Sequence, residues 1–383
     1  MSISKTILIT GARAPVALDL ARLLSASGAR VMVAETSKKH LCRFSNAVER
    51  SFVVPAPIYS SKHFTNAIIE LVKCHQIDVI VPMCEEVFFL AERHSDISSI
   101  CTLLCDPLSK LEPLHNKEKF IKLLENIGLP FPETVLLTSK NAVKSAAERW
   151  KKTVFKPVYS RFARQVVICE GENTAKAESI IPTKSQPWIA QEFIEGRRLC
   201  SYGFARNGKL LAHVTYPVEY CVGETGSALA FRSIEHSLSF QFVQNLVKFL
   251  NFTGQISLDF IERHDGTLVA IECNPRATSG LHLFNSSDKL PSAMIEGKHV
   301  AYLPEGRKGQ LLIPLLLLGG IKLKPKKLLN IFFFGRDVIF SLKDILPALF
   351  SPLLLIYYAL QGYRKNMTIT EVSTYDIEWN GGL

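Results

Sequence analysis

The sequence lacks the cysteine pattern of a disulfide-stapled or zinc-bound chain. Nine cysteines are scattered over 383 residues, an odd number, and no C-x-x-C pair occurs. Cys101 and Cys105 alone make a weak metal case, so the reading is reduced, mostly buried thiols in a cytoplasmic protein. A signal-peptide pattern is missing too. The apolar run in MSISKTILITGARAPVAL is too short for one and leads into a strand, a turn and a helix. The glycines of a dinucleotide-binding loop are also absent. TGARAPVAL carries one glycine where that loop wants three, which argues against Glu35 holding the ribose of a nicotinamide cofactor. No recognisable nucleic-acid module appears, so nucleic acid is not an expected partner despite a net charge of +10. Anionic lipid or an acidic substrate suits that charge better.

What is present is ample for two or three globular domains: 47% hydrophobic and 21% charged residues. Residues 6–10 (TILIT) read as a buried strand, Gly11 as a turn and Pro15 as the start of a helix that Gly28 ends. Residues 31–34 (VMVA) form the next strand, and DVIVP at 78–82 a later buried one. This predicts a doubly wound α/β domain over residues 1–105. NKEKF at 116–120 opens a helix. WKKTVFKPVYSRFARQVVI at 150–168 reads as strand, loop, strand, with Lys156 facing a turn that carries Arg161 and Arg164. WIAQEFIEG at 188–196 is a further strand whose end, residues 191–196, has backbone groups suited to an adenine edge. Residues 201–217 form a hairpin around Asn207-Gly208.

The densest chemistry lies in VAIECNPRATSG, residues 269–280. LVAI at 268–271 reads as a strand, and alternation sends Glu272, Asn274 and Arg276 to one face. Upstream, GQISLDFI carries Asp259, and ERHDGT supplies an Asp-Gly turn between the two runs. The hairpin then sets Asp259 beside Glu272. Two carboxylates and an amide suit one or two Mg²⁺ ions that bridge phosphates, and an arginine grips oxyanions. The rival reading of the triplet is a strand end with solvated polar residues.

After Gly309 the composition changes. Apolar runs alternate with lysine, and from Glu305 to Asp344 there are eight Lys/Arg against three Asp/Glu. Residues 345–363 are uncharged over 19 positions but contain Pro347, Pro352, Gln361 and Gly362. The preferred readings are a helix lying in a membrane interface over 310–363, or one packed on the core or on a partner, rather than a bilayer span.

In this order these pieces resemble the ATP-grasp superfamily, in particular carboxylate–amine ligases related to the carbamoyl-phosphate synthase large chain. The likeness covers most of residues 1–290, and LDFI…VAIECNPRATSG is its most specific part. It implies an N-terminal α/β domain before the ATP-grasp fold at 106–305, in lobes 106–185 and 186–305, then a mainly helical, apolar and basic region at 306–383. By position it implies that Lys117 and Lys156 contact the phosphates of ATP. Glu192, Phe193 and Ile194 would form the adenine hinge, with Glu195 near the ribose or amine. Asp259, Glu272 and Asn274 would hold Mg²⁺, and Arg276 would steady the transferred phosphoryl group.

The implied reaction activates a small-molecule carboxylate as an acyl phosphate for attack by an amine. Three features depart from the pattern. The loop after Lys156 has no glycine, so Arg161 or Arg164 would replace backbone donors there. Arg197-Arg198 stand where relatives carry an acid, and the tail is extra. A degenerate scaffold working through that tail at a membrane or partner is the alternative. Carboxyphosphate chemistry with bicarbonate is lower, since no glutaminase or biotin-carrier segment is visible. Tyr216, Glu219, Arg232 and His282 have no assigned place, and homo-oligomerisation stays open.

Overall fold

The computed structural model describes every residue except 1–2, 162–164, 172–174, 219, 222–227, 299, 304, 315–334 and 383. Arg164, Glu219 and most of the first apolar tail runs therefore lie outside the described residues.

The N-terminal third is a parallel sheet of order β3-β2-β1-β4-β5. Its strands are β1 (Thr6–Thr10), β2 (Arg30–Glu35), β3 (Arg50–Val53), β4 (Val79–Val81) and β5 (Thr102–Leu103). Continuous apolar runs make β1 and β4 buried throughout, as a sheet covered on both faces requires. Helix α1 (Pro15–Ala26) starts on the proline, whose fixed φ suits a first turn. The doubly wound expectation holds. Helices α2 (Ser61–His75), α3 (Glu86–Glu92), α4 (His94–Ser98) and α5 (Leu108–His115) follow. The sequence reading did not see α5, which has Pro113 inside it.

Helix α6 (Lys117–Asn126) begins where Asn116 caps it, accepting from the N–H groups of Glu118 and Lys119. A small antiparallel sheet of order β6-β9-β7-β8 follows, with β6 (Thr134–Leu137), α7 (Lys140–Ala147), β7 (Lys152–Pro157), β8 (Val167–Glu170) and β9 (Trp188–Glu192). The central sheet has order β15-β14-β10-β11-β16. It comprises β10 (Arg197–Arg206), β11 (Lys209–Pro217), β14 (Gly254–Glu262), β15 (Leu268–Asn274) and β16 (Ala301–Tyr302), with α8 (Ser237–Phe249) against it. Both predicted hairpins are present. Asn207 takes φ 49° in its turn, and Arg263 N–H closes the other by donating to the Thr267 carbonyl at 2.9 Å.

The C-terminal region is built into the rest. Strands β12 (Tyr220–Cys221), β13 (Ala228–Arg232), β17 (Lys308–Gln310) and β18 (Arg336–Asp337) form a fourth sheet. Helix α9 (Leu346–Lys365) lies on the turn Leu41–Phe44, where Phe350 stacks on Phe44 at 4.1 Å. Arg22 of α1 fastens the approach to α9 through Asp344 at 2.8 Å and the Val338 and Ile339 carbonyls. A short helix α10 (Ile369–Val372) follows, with a Thr368–Glu371 capping box.

Candidate active site

The site forms where the central sheet faces the small one. On β14, Ile256, Leu258 and Phe260 belong to the core cluster, so alternation turns Gln255, Ser257 and Asp259 the other way. On β15, Leu268 and Ala270 face the same core. Simple alternation would send Glu272 into it as well. A β-bulge prevents this: Asp259 pairs with Glu272 but Phe260 pairs with Ala270, which leaves Ile271 as an extra residue. After the bulge Cys273 faces the core, and Glu272 and Asn274 face the site. Asp259 and Glu272 are therefore cross-strand neighbours, as the sequence predicts. Cys200 of β10 pairs with Asp259 from the other side, and its thiol donates to Asp259 Oδ1 at 3.0 Å.

Two lysines close over this row. Lys156, at the end of β7, donates from Nζ to the carbonyl of the bulge residue Ile271 at 3.1 Å. Lys117, at the first position of α6, donates to the Ser160 carbonyl at 3.1 Å and stands 3.6 Å from Glu272 Oε2. Both lysines are buried. Burial lowers Lys156 to about 8; Lys117 adds to the shift, and Glu272 and Asp259 oppose it. Burial, and then the charge of Glu272, raise Asp259 above its usual range. Arg276 donates from Nη2 to Asn274 Oδ1 at 3.1 Å.

The donor set fits Mg²⁺. Two carboxylates face each other directly, an arrangement that a cation relieves, and all donors are hard oxygens. Among the described residues no group of three or more His, Cys, Asp or Glu gathers into a self-sufficient cage. Two carboxylates and an amide suit an ion whose remaining positions are filled by phosphate oxygens and water.

The hinge runs from β9 to Gly196. A Cβ on Gly196 would lie 2.1 Å from the Glu262 carbonyl oxygen, so only glycine lets the hinge approach β14. The N–H of Glu192 is given to the Glu133 carbonyl and that of Phe193 to the Lys152 carbonyl. Those two donors are therefore unavailable to a purine edge. Ile194 packs with Ile261, Val269 and Ile271 in a separate apolar cluster beside the carboxylates. A hollow of about 390 Å³ is lined by Glu192, Phe193, Ile194, Glu195, Arg263, His264 and Asp265, and by none of the lysines or metal-type residues. Arg197 stands 3.8 Å from Glu262.

Arg161 is not turned to this row. Its Nε donates to Glu85 at 2.5 Å, and its other nitrogens donate to the Trp379 carbonyl and Asn380. The expected phosphate role fails for a simple reason: a buried acid and the tail already hold its guanidinium. Sequence reasoning missed Glu85, the buried His115 and the tail residues. A signal for Glu85 was available, since two acids follow the apolar strand β4 and precede an apolar helix. Tyr216 is buried on β11, Arg232 lies opposite Lys308, and His282 bonds Asp19 at 2.7 Å.

Residues 114–280 match the family model for the ATP-grasp domain. The matched stretch follows the parallel α/β domain and carries the lysines, carboxylates and amide described above. Among curated proteins it is 24% identical over 189 residues to an uncharacterised protein of Methanocaldococcus jannaschii, covering 49% of this chain and 46% of that one. It is 22% identical over 209 residues to the carbamoyl phosphate synthase large chain of Archaeoglobus fulgidus, covering 51% and 19%. The chain thus spans less than half the length of these relatives. Among solved structures it resembles N5-carboxyaminoimidazole synthetase from Staphylococcus aureus (TM-score 0.64, 13% identity, 84% and 86% covered). The L-amino acid ligase from Bacillus licheniformis is similar as well (TM-score 0.58, 16% identity, 73% and 69% covered). At these identities the likeness is one of fold.

Proposed function

We propose that this protein is an ATP-dependent ligase that activates a small-molecule carboxylate as an acyl phosphate and joins it to an amine. The observation that carries this is the convergence of Lys117 and Lys156 on the Asp259–Glu272 pair, beside Asn274 and Arg276. In the first step a carboxylate oxygen of the substrate attacks the γ-phosphorus of ATP. The bond to the bridging oxygen breaks, and ADP leaves with that electron pair. In the second step the amine nitrogen attacks the acyl carbon, the carbon–oxygen bond to phosphate breaks, and the nitrogen loses a proton to solvent.

Lys117 and Lys156 bind the nucleotide phosphates, while Arg276 steadies the phosphoryl group in transfer. Ile194 and its apolar neighbours support the adenine, with Glu195 near the ribose. One or two Mg²⁺ ions held by Asp259, Glu272 and Asn274 would draw charge from the phosphate oxygens. The rest is positioning and charge neutralisation, the main work in phosphoryl transfer. Reduced thiols and abundant ATP make the cytoplasm the compartment proposed.

The test is ADP release across a panel of carboxylates and amines. Wild type turns over with at least one pair. Glu272→Ala and Lys156→Ala each lower the rate by about 100-fold or more while remaining folded. Turnover retained in both variants removes the site assignment. Failure of wild type to form ADP with any pair favours the degenerate scaffold instead.

One observation favours a second feature, contact with an anionic membrane surface. On α9, Leu346, Leu349, Leu353, Ile356, Leu360 and Tyr363 recur at helical spacing and are all exposed, while Ser351, Leu354 and Gly362 pack inward. Lys343, Arg364 and Lys365 flank this stripe. A long helix with one apolar face outward and cations at its ends suits the boundary of an anionic bilayer.

A further inference from the structure

After α10 the chain is gripped twice, by Arg13 and by Arg161. Arg13, on the loop after β1, donates to the Ser373 carbonyl and to Asp376 Oδ2, both at 3.0 Å, and to Glu35 at 2.5 Å. Arg161, five residues beyond Lys156, donates to the Trp379 carbonyl at 2.5 Å and to Asn380 Oδ1 at 2.9 Å. The Trp379 N–H donates to Glu85 Oε2 at 3.2 Å, the same oxygen that Arg161 holds. The indole stacks on Phe88 at 4.9 Å and meets Tyr159 edge-on at 5.6 Å. On its other side, Glu85 Oε1 stands 3.9 Å from Arg276 Nε, and Arg276 bonds Asn274. A continuous polar path thus runs from the tail through Arg161, Glu85 and Arg276 to the metal-type residues.

We propose that residues 378–380 are a positioning element of the active site, which holds Arg161 and Glu85 so that Arg276 is set beside Asn274. This rests on the ligase reading for the role of Arg276, but not for the mechanical link. Glu85 and Trp379 are almost wholly buried, so each has one well-defined place. A buried carboxylate between two arginines has little freedom to follow one of them if the other moves. The link also accounts for the missing glycines after Lys156. A glycine-rich loop brings its amides to the phosphates. Here Tyr159 and Arg161 are instead fastened to the tail.

The experiment uses the full chain with Trp379→Ala, Trp379→Phe and Asn380→Ala. The first readout is amide hydrogen exchange without nucleotide, which does not depend on the ligase reading. In Trp379→Ala the amides of residues 159–161 and 276–278 exchange about 10-fold faster, those of β7 are unchanged, and Trp379→Phe restores protection. Where turnover is measurable, kcat falls about 10-fold and KM for ATP stays within about 2-fold. Unchanged exchange at 276–278, or a loss confined to KM, overturns the proposal. Should Trp379→Ala fail to fold, Asn380→Ala removes one acceptor of Arg161 and is read in the same way. No turnover in wild type with the exchange result intact counts against the ligase reading and not against the link.

Discussion

At Lys156 the fold keeps an amine where water scarcely reaches it, with 5% of the residue exposed. Burial is the main cause of its low pKa of about 8; Lys117 adds to it, and Glu272 opposes it. The unfolded chain holds this proton to about 10.4, the ordinary lysine value. Between pH 8 and that value the unfolded state binds more protons, so stability rises with pH across that window and is flat below it. The contribution is at most about 3 kcal/mol. Urea denaturation at pH 8 and pH 10 should show a rise in wild type that is smaller in Lys156→Met. Equal pH dependence in the two would show that the amine is not desolvated. Arg161 makes the opposite point. Its charge was visible in the sequence, but its partners, Glu85 and the tail, are 76 and more than 200 positions away.

At the scale of elements, the bulge at Ile271 decides the site. It shifts the phase of β15 by one residue and turns Glu272 from the core face to the face shared with Asp259. Deleting Ile271 should remove the bulge and leave Ala270 and Glu272 as successive residues of a regular ladder, with Glu272 still beside Asp259. The loss is one side chain of the small apolar cluster and the carbonyl that holds Lys156, a cost of about 1–3 kcal/mol. Thermal unfolding should show a folded variant with a lowered midpoint, and Mg²⁺-ATP binding should persist. A folded deletion variant that has lost Mg²⁺-ATP binding would mean that Ile271 serves the site by more than setting the phase of Glu272. The pairing of Asp259 with Glu272 was legible from two apolar runs around Asp-Gly. The bulge was not, because nothing local marks which residue leaves the ladder.

At the scale of the whole molecule, the C-terminal region combines a buried end with an exposed apolar stripe. Residues 376–380 are held by Arg13 and Arg161, and the apolar stripe of α9 stays outward. Vesicle flotation tests the outer face. Wild type should bind vesicles of phosphatidylcholine with about one third phosphatidylserine, lose them in high salt, and ignore pure phosphatidylcholine. Leu349→Asp with Leu353→Asp should abolish binding with little change in unfolding midpoint, since both side chains are more than half exposed. Equal binding to both vesicle types removes the electrostatic part. A dimer broken by the same substitutions would assign the stripe to a second copy of the chain.

The sequence by itself determined the local chemistry and most of the elements. Apolar runs, an Asn-Gly and an Asp-Gly turn, a proline at a helix start and an acid–amide–arginine series act over a few residues, so a linear reading reaches them. Resemblance then aligned Lys117, Lys156, Asp259, Glu272 and Asn274 with one site, and the fold brings them together. Only the tertiary structure decided the phase of Glu272, the capture of Arg161 by Glu85 and the tail, and which face of α9 stays exposed. Each depends on side chains far apart in sequence competing for one buried place. Packing and charge pairing settle that competition, and no short stretch of the chain encodes its outcome.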